Sequence, residues 1–311
     1  MSLKPIGWRT ALIVLGATVL WSGNVVALKL GLETFPPFWS GFWRMLVGTL
    51  TVGAWAWVRG NSLVPGRDEW RPLLILSALF TVQIVMLNTG VDFTSPAYGI
   101  VLLNSNPVFA NLLGHFFVPG DRLSARRVIG LAVAFTGVCS VFLGRPDVSL
   151  APYPIWGNVL VTLSALLLGA RLVYTQRLVQ RIDPIRPVFW QMALSLPPFL
   201  AAGTFLEPPA TQAVSSVAVA AILYQGMIIA GLCFVVWTTL LQHHSPGSLS
   251  MFTFAAPFFG IVFSSVFYGE AMTARLWLGV AAVTAGILLA TMRRRTALIP
   301  PPVAGPRGAL R

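Results

Sequence analysis

The sequence predicts an all-α integral membrane protein, with ten transmembrane helices in two inverted five-helix repeats and both termini in the cytoplasm. Three observations predict it. Hydrophobic residues make up 56% of the 311 residues, charged residues only 10%, and mean hydropathy is +0.78, which lies far from a soluble domain. An ordered series of residues recurs at an offset of 150. Basic residues collect in alternate connections between the apolar runs, as the positive-inside rule requires.

The apolar runs, taken in order, fall at about 9–30, 37–58, 70–90, 95–118, 125–144, 153–175, 186–206, 213–241, 246–268 and 273–292. Each approaches the ~20 residues that cross a bilayer. The first is long enough to span, so no separate signal peptide is expected. Connections are short and leave no room for a soluble domain. Eleven Trp and twenty Phe suit aromatic belts at the membrane faces. Residues 296–311, rich in Pro and Gly, cannot pack a core and are expected to be disordered.

With the N-terminus inside, sixteen basic residues fall on the cytoplasmic side, among them Arg67, Arg126, Arg181 and Arg293. Three, Lys29, Arg145 and Arg275, fall outside. Arg44 and Arg171 remain within or near spans. The net charge of +12 is thus spread between spans, which argues for topology and against a nucleic-acid surface. Residues 1–150 form the first repeat and 151–295 the second. Five spans are an odd number, so the second repeat enters the membrane inverted.

The duplication is clearest in two helical hairpins. Ser95-Pro96 falls on Ser245-Pro246, Pro107 on Pro257, Phe109 on Phe259 and Phe117 on Phe267. After one lost residue, Gly120, Asp121, Arg126, Gly130 and Gly137 fall on Gly269, Glu270, Arg275, Gly279 and Gly286. Chance does not supply an ordered series of that length. Ser95 and Ser245 are placed to cap helices whose first residue is proline. Pro107 and Pro257 follow eleven residues later, about 17 Å along the axis. Each is expected to break its helix as a gate, freeing the carbonyls of Leu103 and Thr253. The glycines seven apart predict close helix packing.

This repeated pattern, with Trp21-Ser22-Gly23-Asn24 in the first span and the LNTGVDFTSPA run at 87–97, resembles the drug/metabolite transporter superfamily. Within it the chain is similar to the ten-helix EamA-type exporters, especially bacterial amino-acid exporters. The resemblance covers residues 8 to 293 and implies export of amino acids, including aromatic and neutral ones, from the cytoplasm. It departs from the four-helix members in lacking a glutamate in the first span.

Candidate substrate contacts are the few polar residues within spans. Asn104, Asn111 and His115, spaced by seven and four, share one helix face. Asn24, Gln83 and Gln225 are further candidates. In the second repeat Thr253 stands for Leu103 and Phe254 for Asn104, so amides on one wall face aromatic and hydroxyl groups on the other. The competing reading is that such amides only bond neighbouring helices. Arg44 is read as a partner for a substrate carboxylate or as snorkelling outward, and Arg171 as snorkelling inward. Tyr174 and Trp190 read as packing residues. His243-His244 reads as a solvated cytoplasmic turn.

An inner-membrane exporter of amino acids and related metabolites, working by alternating access, is the reading these features favour. A superfamily transporter of nucleotide sugars or cationic drugs stands as the alternative, although sugar phosphates call for clustered midplane cations. A lipid-modifying enzyme is disfavoured, because no span holds a carboxylate pair or an H-E-x-x-H motif. No cofactor, metal site or catalytic residue is expected. Cys139 and Cys233 lie in apolar runs and suggest no disulfide framework. The expected partners are an amino-acid substrate and the lipid bilayer, with no nucleic acid; a monomer satisfies the sequence.

Overall fold

The computed structural model of the chain describes residues 7–117, 124–144, 149–208, 213–243 and 255–291. Among them every regular element is helical. The chain is a multi-pass membrane protein: six stretches, Trp8–Leu32, Trp70–Phe93, Ala125–Phe142, Pro154–Leu178, Ile185–Leu206 and Ser216–Leu240, are long and apolar enough to cross a bilayer. Side chains on the outside agree, with Trp57 84% and Phe205 85% exposed, among many large apolar groups of the kind a bilayer covers. The helix at Pro37–Arg59 is long enough, but four tryptophans and Arg44 make it less apolar.

Several expected spans are not single helices. The first is α1 (Trp8–Ser22) and α2 (Asn24–Leu32), interrupted at Gly23. Then come α3 (Pro37–Arg59) and α4 (Trp70–Phe93), followed by α5 (Pro96–Leu103) and α6 (Asn106–Phe117), which are parted at Asn104–Ser105. Next, α7 (Ala125–Phe142) and α8 (Pro154–Leu178) are continuous, while α9 (Ile185–Ala193) and α10 (Leu196–Leu206) part at Leu194–Ser195. Between α11 (Ser216–Leu223) and α12 (Phe234–His243) the backbone widens into a π-helical segment, Tyr224–Cys233. The chain closes with α13 (Ala255–Tyr268) and α14 (Ala274–Thr291).

Local chemistry explains the starts and stops. Proline opens α3, α5 and α8, where its missing N–H is no loss. Gly60, with φ of 69°, ends α3 in the left-handed region that glycine alone enters freely. His243 completes α12 rather than lying in a turn, which corrects that expectation; His244 lies outside the described residues, as do 296–311.

The helices pack through glycine. A Cβ on Gly130 would stand 2.5 Å from the Gly286 carbonyl, and one on Gly137 would stand 2.8 Å from that of Gly279. As one number rises the other falls, so α7 and α14 run antiparallel with their backbones in contact. The expectation of close packing on these faces holds. Elsewhere Gly90 and Gly157 bring α4 against α8, and Gly226 lays the π segment on Val47 of α3.

Candidate functional site

The polar groups inside this bundle divide into those that mend broken helices and those that do not. At the first break, the Tyr224 hydroxyl donates to the carbonyl of Leu20, beside Gly23. The Trp21-Ser22-Gly23-Asn24 motif therefore marks a helix interruption answered from the π segment. At the second, Asn106 Nδ2 donates to the Leu103 carbonyl at 3.0 Å and Ser105 Oγ to that of Leu102 at 2.6 Å. Asn104 Nδ2 turns back to Ile100 O at 2.8 Å, and Asn111 Nδ2 to Pro107 O at 2.8 Å.

The Leu103 carbonyl that Pro107 cannot reach finds its partner in Asn106. The helix is interrupted at Asn104–Ser105, between Asn104 and the pair Asn111 and His115, and Pro107 is the second residue of α6. Pro257 lies in α13, and residues 251–254 before that helix are outside the described residues. Thr253 and Phe254 lie outside the described residues.

Gln83 joins helices: its Nε2 donates to Ser164 Oγ at 3.0 Å, and Ser164 Oγ donates to the Gln83 carbonyl at 3.0 Å. Its Oε1 is left buried and unpartnered, as is Asn24 Oδ1. Trp190 donates to Leu63 O at 2.7 Å and Tyr174 to Pro72 O at 3.3 Å, around the small cluster of Leu73, Leu76, Leu178 and Ile182. Both are packing residues.

The arginines overturn the snorkelling expectation. Arg44 is 2% exposed and Arg171 7%, held in by α3, α9 and the π segment. Arg44 Nη1 donates to Gln225 Oε1 at 3.5 Å, and Gln225 Nε2 donates onward to Ala27 O at 3.2 Å. Arg171 Nη1 donates to Gln191 Oε1 at 2.9 Å. Its guanidinium lies 4.9 Å from the Phe80 ring centre and 5.4 Å from that of Phe234, a cation–π setting. Of the sequence candidates, Gln225 is thus brought to a buried cation. Arg171, read as snorkelling, and Gln191, not singled out, are the residues that sequence reasoning missed. Their signal was depth: Arg171 stands more than a turn inside the end of α8 at Leu178.

Near the ends of other helices, charged groups serve as caps. Glu207 accepts from the backbone N–H of Phe38 at 2.7 Å and of Trp39 at 3.0 Å. Glu270 accepts from the Ala97 N–H at 3.1 Å, from Ser264 Oγ at 2.7 Å and from Ser95 Oγ. Ser95 was expected to cap its own helix; its side chain donates to Glu270 instead. Lys29 Nζ donates to the carbonyls of Val91, Asp92 and Thr94 at 2.9, 2.8 and 3.1 Å. Each sign suits its helix end. Among the described residues no three His, Cys, Asp or Glu side chains gather as a metal site.

Known proteins share this plan. A match to the EamA-like transporter family covers residues 8–143 and again 155–292. The uncharacterized transporter YoaV of Bacillus subtilis is 22% identical over 91% of this chain and 97% of its own. A probable amino-acid metabolite efflux pump of Escherichia coli is 22% identical over 90% of this chain and 94% of its own. A crystal structure at 20% identity aligns with TM-score 0.68, covering 91% of this chain and 98% of that one; at this identity it speaks for the fold alone.

Proposed function

Since the chain belongs to the EamA-like transporter family, we propose that it exports amino acids and related small metabolites across the bacterial inner membrane by alternating access. The observation that carries this reading is the buried polar set Arg44, Gln225, Arg171 and Gln191, drawn from helices of both halves into an apolar bundle. Ionisable groups at such depth mark a solute path more often than a structural need. The similarity to a probable amino-acid metabolite efflux pump supports the substrate class.

In this reading the chain makes ten spans as two inverted repeats, 1–150 and 151–295, with both termini in the cytoplasm. Supporting it, the family match falls once in each half. The glycine contacts are also reciprocal: Gly130 meets Gly286 and its counterpart Gly279 meets Gly137, as a two-fold relation demands. Asn24, Gln83, Asn104, Asn111, His115 and Gln225, with Thr253 and Phe254, line the solute path, and Pro107 and Pro257 mark its gates.

Anionic sugar phosphates are the second reading, favoured by the same two buried cations. A proteoliposome uptake panel decides between them, with amino acids competed against nucleotide sugars and quaternary amines. Amino acids alone should compete; displacement only by nucleotide sugars would replace the first reading with the second.

A further inference from the structure

Two buried guanidinium groups lie in the interior without an acidic partner among the described residues. Each gives one Nη proton to a neutral amide, Arg44 to Gln225 and Arg171 to Gln191. The Nε atoms of both are buried with no hydrogen-bond acceptor. Gln191, the partner of Arg171, lies on α9, whose Met192 packs against Gly48 of α3, one turn from Arg44. A buried cation left unpaired is among the costlier arrangements a protein can hold. Evolution has a simpler filling for such a place, an apolar side chain, unless an anion visits.

Resting on the transport reading above, we propose that Arg44 and Arg171 bind the carboxylate of the transported amino acid. The free Nε edge of each arginine matches a carboxylate, which guanidinium recognises through paired N–H donors. Phe80 and Phe234 flank Arg171, and Trp21 lies 5.9 Å from Phe234 between ring centres; they offer an apolar wall beside the charged end. The site selects against cations and against solutes whose carboxylate is masked.

The test is equilibrium binding to the purified full-length protein in detergent, by titration calorimetry and thermal shift. The probes are phenylalanine and glutamate, their α-carboxamides, and inorganic phosphate. For the wild type, an acid should bind at least about tenfold more tightly than its amide, the scale of a lost charged hydrogen bond. Arg44→Met and Arg171→Met should weaken binding of the acid by a similar factor. Their ligand-free melting temperatures should hold or rise, since an unpaired charge gives way to an apolar chain. Equal binding of acid and amide, no binding by either acid, preference for phosphate, or undiminished affinity in both Met variants would overturn the site. The acid–amide comparison needs no variant, so it decides even if a substitution blocks folding. Carboxylate-selective binding in a protein that carries no flux would sink the transport reading and leave the site standing.

Discussion

Glu270 accepts the hydroxyl proton of Ser95 across 175 positions of sequence, and with it the N–H of Ala97. A carboxylate from the second half therefore caps the first turn of α5 in the first half. Glu207 does the same for α3. Both helices open with proline, and both take their caps from outside their own half.

Removing such a cap leaves buried hydroxyl and N–H groups unanswered. Glu270→Ala should lower stability by about 1–3 kcal/mol, and Glu270→Gln by less, because its amide oxygen still accepts. Thermal unfolding in detergent measures both. Equal stability in wild type and Glu270→Ala would mean that water replaces the carboxylate without loss.

The contact of α7 with α14 makes a sharper steric forecast. A methyl on Gly130 would meet backbone at 2.5 Å, and one on Gly286 would meet Ala134 N at 2.3 Å. Gly130→Ala and Gly286→Ala should each cost about 1–3 kcal/mol, the usual range for overpacking. Gly16→Ala, with nothing within 4 Å of the new Cβ, should be neutral or stabilising by up to about 1 kcal/mol. A Gly130→Ala protein as stable as Gly16→Ala would show that the helices separate readily.

At the second interruption the amides matter more than the proline. Pro107→Ala restores an N–H, but the Leu103 carbonyl it would reach already accepts from Asn106. The single variant should leave the interruption, and transport, largely intact. Only Asn106→Leu with Pro107→Ala should fuse α5 to α6 and slow flux in proteoliposomes. Loss of flux in Pro107→Ala alone would return the gate to the proline.

These cases show what could be read from the chain. Proline at a helix start and glycines seven apart are local signals, so Pro96 and the Gly130–Gly137 face were legible. A cap from 175 residues away leaves no local trace, and Ser95 looked sufficient by itself. The arginines failed for a related reason. A long side chain in a span is read as reaching for water, but Met192 and Phe199 of the α9–α10 stretch press against Gly48 and Gly41 of α3. Tertiary packing closed the route that sequence left open.

The topology proposed from charge is tested by cysteine labelling in a background without Cys139 and Cys233. Cysteines at the exposed positions Ser62 and Ser124 should react from the cytoplasmic side, and ones at Pro152 and Ala271 from the other. The Arg186–Glu69 ion pair, at 3.0 Å beside Ser62, would then lie on the same inner face. Labelling of Ser124 from outside would undo the inverted arrangement.

The driving force is the last consequence. A proton-coupled pump usually keeps an ionisable acid within the membrane, where it alternates between the two sides. Among the described residues the acids stand at helix ends or in connections: Glu33, Asp68, Glu69, Asp92, Asp183, Glu207 and Glu270. Glu270 is buried, but its oxygens are taken by Ser95, Ala97 and Ser264, which suits a fixed cap better than a proton carrier. His115, four residues beyond Asn111 on α6, is a further titratable group on the proposed path. Transport should therefore proceed as facilitation or exchange, with solute moving down its own gradient. Counterflow in proteoliposomes should persist without a pH gradient, and net flux should change less than about twofold when one is imposed. Glu270→Gln should keep counterflow per folded molecule even where it lowers stability. Concentrative uptake that requires the gradient and disappears in Glu270→Gln, at normal yield of folded protein, would make that carboxylate the proton site instead.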